Sequence, residues 1–166
     1  MTEKEWLEDV GDRNIEQVIQ LEDTHRIDSI VVAIESALMD KPDLTPTERI
    51  VLVIEAMERE VNNGGFNQFF YNSSNEYARE LVGALQQVGL EAIAAIAERA
   101  LQAIGARPDW TPDDFETVSV DPDEATMAKL NACDEAYYDS EEAIASKLFD
   151  YIKANKDEIR IGTNSA

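Results

Sequence analysis

Side-chain catalysis needs a nucleophile with a base, a proton relay or a metal, and this sequence is sparing with all of them. It has one histidine, His25, and one cysteine, Cys133. A Ser-His-Asp or Cys-His relay would rest wholly on His25, and no glycine-flanked nucleophile accompanies it, so a surface or capping role is the expectation. Cys133 stands at helical spacing from Met127, Leu130 and Tyr137 and beside Asp134 and Glu135. It reads as a small buried hydrophobe whose acidic neighbours disfavour a thiolate. One Cys and one His serve zinc poorly, and Asp121, Asp123 and Glu124 lack the glycine and ligand spacing of a calcium loop. Carboxylate pairs such as Glu55 with Glu58 or Glu141 with Glu142 have the composition of an acid-base couple, but a chain with 35 acids produces such pairs by chance. Gly64-Gly65 lacks the pattern and the lysine of a phosphate loop. The sequence predicts a non-enzymatic protein with no cofactor and no metal.

The conspicuous property is charge. Against 35 acids stand 14 bases, for a formal net charge of −21. Such a chain repels phosphate backbones and anionic membranes and attracts basic surfaces. No apolar run is long enough to span a bilayer, the N-terminus lacks a signal-peptide pattern, and a single cysteine fits a reducing compartment; the expected location is cytoplasmic. The acidity is uneven: residues 1–40 hold 11 acids and 3 bases, and residues 108–142 hold 12 acids and one base, Lys129. The middle is nearly balanced. Acids can simply solubilise helices and stabilise their first turns. The sharper reading is a carboxylate surface for a basic protein, and the candidate partner-binding residues are Asp109, Asp113, Asp114, Glu116, Asp121, Asp123, Glu124, Asp134, Glu135, Asp139, Glu141 and Glu142. Acids one helical turn apart stand about 6 Å from each other, within a factor of two of phosphate spacing along a strand.

The elements that must carry these residues are helical. Thr45-Pro46-Thr47-Glu48 has a capping hydroxyl, a proline at the first helical position and a carboxylate that bonds back, predicting a helix from Pro46 to about Val61 with Ile50, Ile54, Met57 and Val61 buried. Ser73-Ser74-Asn75-Glu76 reads as a second capping box before Tyr77, Leu81, Leu85 and Val88, with Gly89 as the stop. Ile93 to Ile104 then forms the second arm of a hairpin. Thr111-Pro112-Asp113-Asp114 opens about one turn. Asp121-Pro122-Asp123-Glu124 opens a helix through Tyr137, and Ser140 caps a last helix ending near Asn155. Ile27 to Leu38 gives one further amphipathic helix. No alternating pattern is long enough for a paired strand, so the expected fold class is all-α: a single-domain bundle of about six to eight helices without significant sheet.

Between the first two capping boxes runs Glu60-Val61-Asn62-Asn63-Gly64-Gly65-Phe66-Asn67-Gln68-Phe69-Phe70-Tyr71-Asn72-Ser73. Asn63 and Gly64 tolerate the left-handed conformation that ends a helix, while Phe66, Phe69 and Phe70 share one buried face of a short helical piece. Asn62, Gln68 and Asn72 are placed to satisfy backbone groups freed at the turn. The segment resembles the bacterial DNA mimic protein 19 family, on Glu60, Asn62, Asn63, Gly64, Gly65 and Phe66, then Gln68, Phe69, Phe70 and Asn72. Leu44-Thr45 with Glu48-Arg49, the turn from Leu85 to Gly89, Tyr137-Tyr138, and Leu148 to Ile152 add to the likeness.

Trp6, Leu7, Val10, Ile15, Val18, Ile19 and Leu21 suggest that the variable acidic segment at 1–24 is helical, although Gly11 interrupts the pattern, and the last helix is expected to fray and leave a flexible tail at 157–166. The resemblance implies a helical family domain over residues 25–156. It also implies a homodimer that acts as a DNA mimic, occupying the DNA-binding surface of a transcriptional repressor or nucleoid protein. The motif itself is expected to be mainly structural. Two rival expectations stand beside this one: an immunity or antitoxin-like inhibitor of a basic nuclease, and a ligand-binding or enzymatic pocket at the Asn-Asn-Gly-Gly-Phe motif.

Overall fold

The computed structural model describes residues 2–162. Among the described residues there are eight α-helices and no strand: α1 (Ile15–Ile19), α2 (Ile27–Leu38), α3 (Pro46–Tyr71), α4 (Leu81–Val88), α5 (Glu91–Ala103), α6 (Pro112–Ser119), α7 (Glu124–Asp139) and α8 (Ile144–Ala154). The all-helical expectation holds. Contacts divide the chain into two compact units, one of residues 1–55 with 143–166 and the other of residues 56–142.

In the first unit α2 packs on α8, with Ile30, Val31, Ile34 and Leu38 of the one and Leu148, Phe149 and Ile152 of the other buried. The N-terminal segment departs from the expected helix. Residues 2–13 contain no helix, and Glu5 forms an isolated parallel bridge with His25: its N–H donates to the Thr24 carbonyl at 2.9 Å and its carbonyl accepts from Arg26 at 2.8 Å. Gly11, at φ 57°, interrupts the apolar pattern that suggested a helix, and the first α-helix waits for the Asn14–Gln17 capping box.

The expected flexible tail is also corrected for residues 157–162, while residues 163–166 lie outside the described residues. Ile159 and Ile161 are buried, and Arg160 closes on Glu48, whose side chain is 0% exposed. Glu48 is the third residue of the predicted capping box: Thr45 Oγ1 accepts from Glu48 N–H at 3.1 Å and Thr45 N–H donates to Glu48 at 3.0 Å. Its carboxylate also receives the Arg160 N–H at 2.7 Å, the Arg160 guanidinium at 3.0 Å and Lys41 at 3.3 Å. The same helix start holds the tail through Thr47, whose hydroxyl donates to Glu158. The local capping signal was legible, but the distant partners were not.

In the second unit α5 packs against α4 and α7, and α6 lies on the 3-10 turn Ser73–Tyr77. The Gly89 stop is as expected, at φ 84°. Three cap assignments shift. Ser73-Ser74-Asn75-Glu76 forms that 3-10 turn rather than a helix start, and α4 begins only at Leu81. Asp123, not Asp121, caps α7 by accepting from Thr126 N–H at 2.7 Å. Ser140 ends α7 instead of opening α8. The Thr111 box does form, and its helix runs eight residues rather than one turn.

Burial alone would push the Glu48 carboxyl up, but Arg160, the Thr45 and Arg160 N–H groups and Lys41 together hold it below its ordinary value. A depressed carboxylate stabilises the fold above its unfolded pKa and loses that contribution as pH falls through the folded one. Glu48→Gln should therefore cost on the order of 3 kcal/mol in urea unfolding at neutral pH, and the gap from wild type should begin to narrow as pH falls below the ordinary 4.5 and close once Glu48 protonates in the folded state.

Candidate functional site

Two features carry the candidate roles, the glycine-pair motif and the acidic segment that follows Pro108. Both lie in the second unit.

The motif breaks α3 within a turn of the expected end at Val61: Gly64 (φ −161°, ψ 18°) and Gly65 (φ 80°, ψ −179°) are non-helical, and a second helical limb carrying the three phenylalanines runs on to Tyr71. The positive φ falls on Gly65, not on Asn63 or Gly64, in a region essentially reserved for glycine. α7 lies against it. Phe66 N–H donates to Asp134 Oδ1 at 2.8 Å, and the Tyr138 hydroxyl, one turn further along α7, donates to the Val61 carbonyl at 2.6 Å. A Cβ at Gly65 would land on the Asp134 carboxylate. Gly65 is therefore required twice, by its dihedrals and by the approach of α7.

Past the kink, Phe66, Phe69 and Phe70 are all 0% exposed, as their spacing predicts. Phe66 meets Tyr137 edge-on at 6.0 Å and Phe70 stacks on Phe115 at 5.9 Å. Each such ring contributes about 1.5–3 kcal/mol by burial. The amides depart from expectation. Gln68 and Asn72 donate not to the backbone but to one carboxylate, Glu60, at 2.8 and 2.9 Å, so that residues eight and twelve positions apart clamp the two limbs of the bend. Asn62 donates to the Glu58 carbonyl at 2.7 Å within its own helix, and Asn63 is exposed.

Beside the clamp, burial pushes the Glu58 carboxyl up to about 7, with Asn62 opposing. Of the carboxylate pairs, Glu55 is buried with Glu58 half-buried in the same helix, whereas Glu141 is exposed and Glu142 is turned inward.

The twelve acids proposed for partner binding separate into two groups. Asp134 is withdrawn from that role by its bond to Phe66, and burial raises its pKa against the pull of that N–H. Glu142 is withdrawn as well: it accepts from the Ala92 and Ile93 N–H groups at 3.2 and 2.9 Å, capping α5, whose own preceding residue Leu90 cannot. These two are corrections to the surface assignment; sequence alone could not show the long-range donors. Asp114 serves the Thr111 box and Asp123 the start of α7, although both remain exposed. Asp109 lies 3.7 Å from Arg107, with both side chains mostly in solvent.

Asp113, Glu116, Asp121, Glu124, Glu135, Asp139 and Glu141 remain. Among the described residues, these exposed carboxylates meet neither cation nor hydrogen-bond donor. Glu124, Glu135 and Asp139 share one face of α7 by helical geometry, along about 22 Å of its axis. The other acidic block, in the first unit, is more committed: Glu16 pairs with Lys156 at 3.2 Å, Glu22 with Lys153 at 3.1 Å and Asp28 with Arg26 at 2.6 Å.

The remaining candidates are quiet. His25 hydrogen-bonds Thr24 at 2.8 Å, and Cys133 is buried with its thiol pKa raised by that burial. Among the described residues no group of three or more His, Cys, Asp or Glu side chains is placed to hold a metal ion, and no helix is long and apolar enough to cross a membrane.

A family model described as DMP19-like protein matches residues 42–155. The match covers the capping box at Thr45, the glycine-pair motif and the whole second acidic block. A search of curated proteins finds no match.

Two outcomes test this geometry. Gly65→Ala should cost about 3 kcal/mol or more in chemical denaturation, and Asp134→Ala should recover part of that loss in a double-mutant cycle by removing the steric conflict while leaving the dihedral strain. At Glu58 the folded pKa of about 7 lies above its ordinary 4.5, so the contribution of this one group is most favourable below about 4.5 and is lost as pH rises from there through 7. Glu58→Gln should match wild type at pH 4.5 and exceed it by about 1–3 kcal/mol at pH 8, read from urea midpoints.

Proposed function

This chain belongs to the DMP19-like protein family, and on that premise we propose that it is a non-enzymatic DNA mimic, binding the DNA-contacting surface of a basic protein such as a transcriptional repressor or nucleoid protein. The observation that carries this reading is the set of unpaired carboxylates on α6, α7 and their flanks. Folding has already committed Glu48, Glu60, Asp134 and Glu142 to internal donors, so the acids left bare at 113–141 are not needed to hold the chain together.

Glu135 and Asp139 stand one turn apart, about 6 Å, and a groove that evolved to receive phosphates meets a comparable row of anions there. Binding of this kind draws much of its strength from charge, so it is fast and sensitive to salt. The homodimer that the resemblance implies would present the row twice, as a palindromic operator presents two half-sites. A pocket at the glycine-pair motif is the weaker reading, since Glu60, Gln68, Asn72 and Asp134 are engaged with one another or with the motif backbone.

The experiment is capture on the immobilised protein at low salt, followed by displacement. A basic DNA-binding protein should be retained, should release its operator DNA stoichiometrically when this chain is added, and should bind at least about tenfold more weakly at 200 than at 50 mM salt. The combined variant Glu124→Gln, Glu135→Gln, Asp139→Asn should weaken that complex on the order of tenfold, three exposed charges at about 0.5 kcal/mol each. Retention unaffected by the triple variant would overturn the assignment, and retention of a nuclease that loses activity would move the reading to inhibition.

A further inference from the structure

The second unit is acidic, with 18 Asp and Glu against five Lys and Arg over residues 56–142, yet its few cations are not dispersed among the acids. Four of the five line two neighbouring clefts that have Gln102 in common: Arg79 and Arg107 one, Arg99 and Lys129 the other. With carboxylates in more than threefold excess, an arginine that meets none is the exception. Arg79 makes no ion pair or side-chain hydrogen bond among the described residues. Arg107 reaches only Asp109, at 3.7 Å and with both side chains more than 70% exposed, an arrangement that solvent screens heavily.

The cleft beneath these two arginines has a volume of about 400 Å³ and an apolar floor of Val82, Leu101 and Phe115. That size lies at the small end of the range used for organic ligands. Glu98 stands on its wall. A guanidinium makes a two-pronged contact with a carboxylate or a phosphate, and the acidic Glu98 on the wall opposes multiply charged anions such as phosphate esters more than it opposes a monocarboxylate. The floor asks for an apolar body behind the head group.

We propose that the cleft between Arg79 and Arg107 binds a small organic monocarboxylate, its head on the arginines and its aromatic or aliphatic tail on Val82, Leu101 and Phe115. The inference is independent of the DNA-mimic reading, because it uses none of the bare acids of α7. Binding would draw Arg107 from Asp109, leaving one further exposed carboxylate at the edge of the acidic segment without its ion-pair partner.

The test is titration of the full chain with phenylacetate and with octanoate, followed by amide NMR and calorimetry, with phenylacetamide as the uncharged counterpart. Phenylacetate or octanoate should bind at submillimolar concentration and shift amides at 78–82 and 101–107. Arg79→Gln, at an exposed position where the fold is expected to persist and can be checked by circular dichroism, should weaken binding about tenfold or more, as should the exchange of acid for amide in the ligand. Arg107→Gln should weaken it in the same direction. The proposal is overturned if neither carboxylate binds up to millimolar concentration, if phenylacetamide binds as well as phenylacetate, if Arg79→Gln leaves affinity unchanged, or if the shifts fall elsewhere.

Discussion

Thirty-five carboxylates repel one another on a chain with only 14 cations, and the fold is organised by how that repulsion is met. Some acids are neutralised in place by donors that folding brings to them. Glu48 gathers Arg160, Lys41 and two backbone N–H groups, Glu60 gathers the Gln68 and Asn72 amides, Asp134 takes Phe66 N–H, and Glu142 takes the start of α5. In each case a charge that would oppose compaction becomes a tie, across the bend of one helix for Glu60 and between segments distant in sequence for Glu48, Asp134 and Glu142. Glu35 and Glu55 are buried as well, while most of the other acids remain in water, where high dielectric and salt weaken their mutual repulsion.

The kink at Gly64-Gly65 shows the same economy on a smaller scale. A bend in a long helix needs partners for the groups it disturbs and a reason to stay bent. Here α7 supplies an acceptor and a donor one turn apart, Glu60 bridges the limbs, and three phenylalanines bury the far side. Gly65 permits the approach of Asp134 because it has no side chain to place there. The motif thus builds the unit that carries the acidic segment, and the residues that identify the family are distinct from those proposed to meet a partner.

Sequence reading succeeded where the determining physics was local. The Thr45 and Thr111 capping boxes, the Gly89 stop and the burial of Phe66, Phe69 and Phe70 all follow from residues within a few positions of one another. It failed where the partner came from elsewhere. Nothing near Ile159 announces that Arg160 will find Glu48, and nothing near Glu142 announces that it will cap a helix fifty residues earlier. Their spacing points Gln68 and Asn72 to backbone groups freed at the turn, but both donate instead to the Glu60 side chain. Local apolar spacing also misled over residues 2–13, where apolar residues that suggested a helix belong to a segment bridged to His25. Of the acidic candidates, ten of twelve are exposed; Asp134 and Glu142, drawn in by long-range contacts, are not.

The central claim is that folding commits one set of carboxylates internally and leaves the set on α6 and α7 for a basic partner. Zero-length cross-linking of carboxyl to amine groups, applied at low salt to the complex with a captured DNA-binding protein and read by peptide mass spectrometry, tests it most directly. The account predicts cross-links from lysines of the partner to Glu116, Asp121, Glu124, Glu135 and Asp139, and none to Glu48, Glu60 or Glu142. Cross-links confined to residues 3–40, or absent from 113–141, would contradict it.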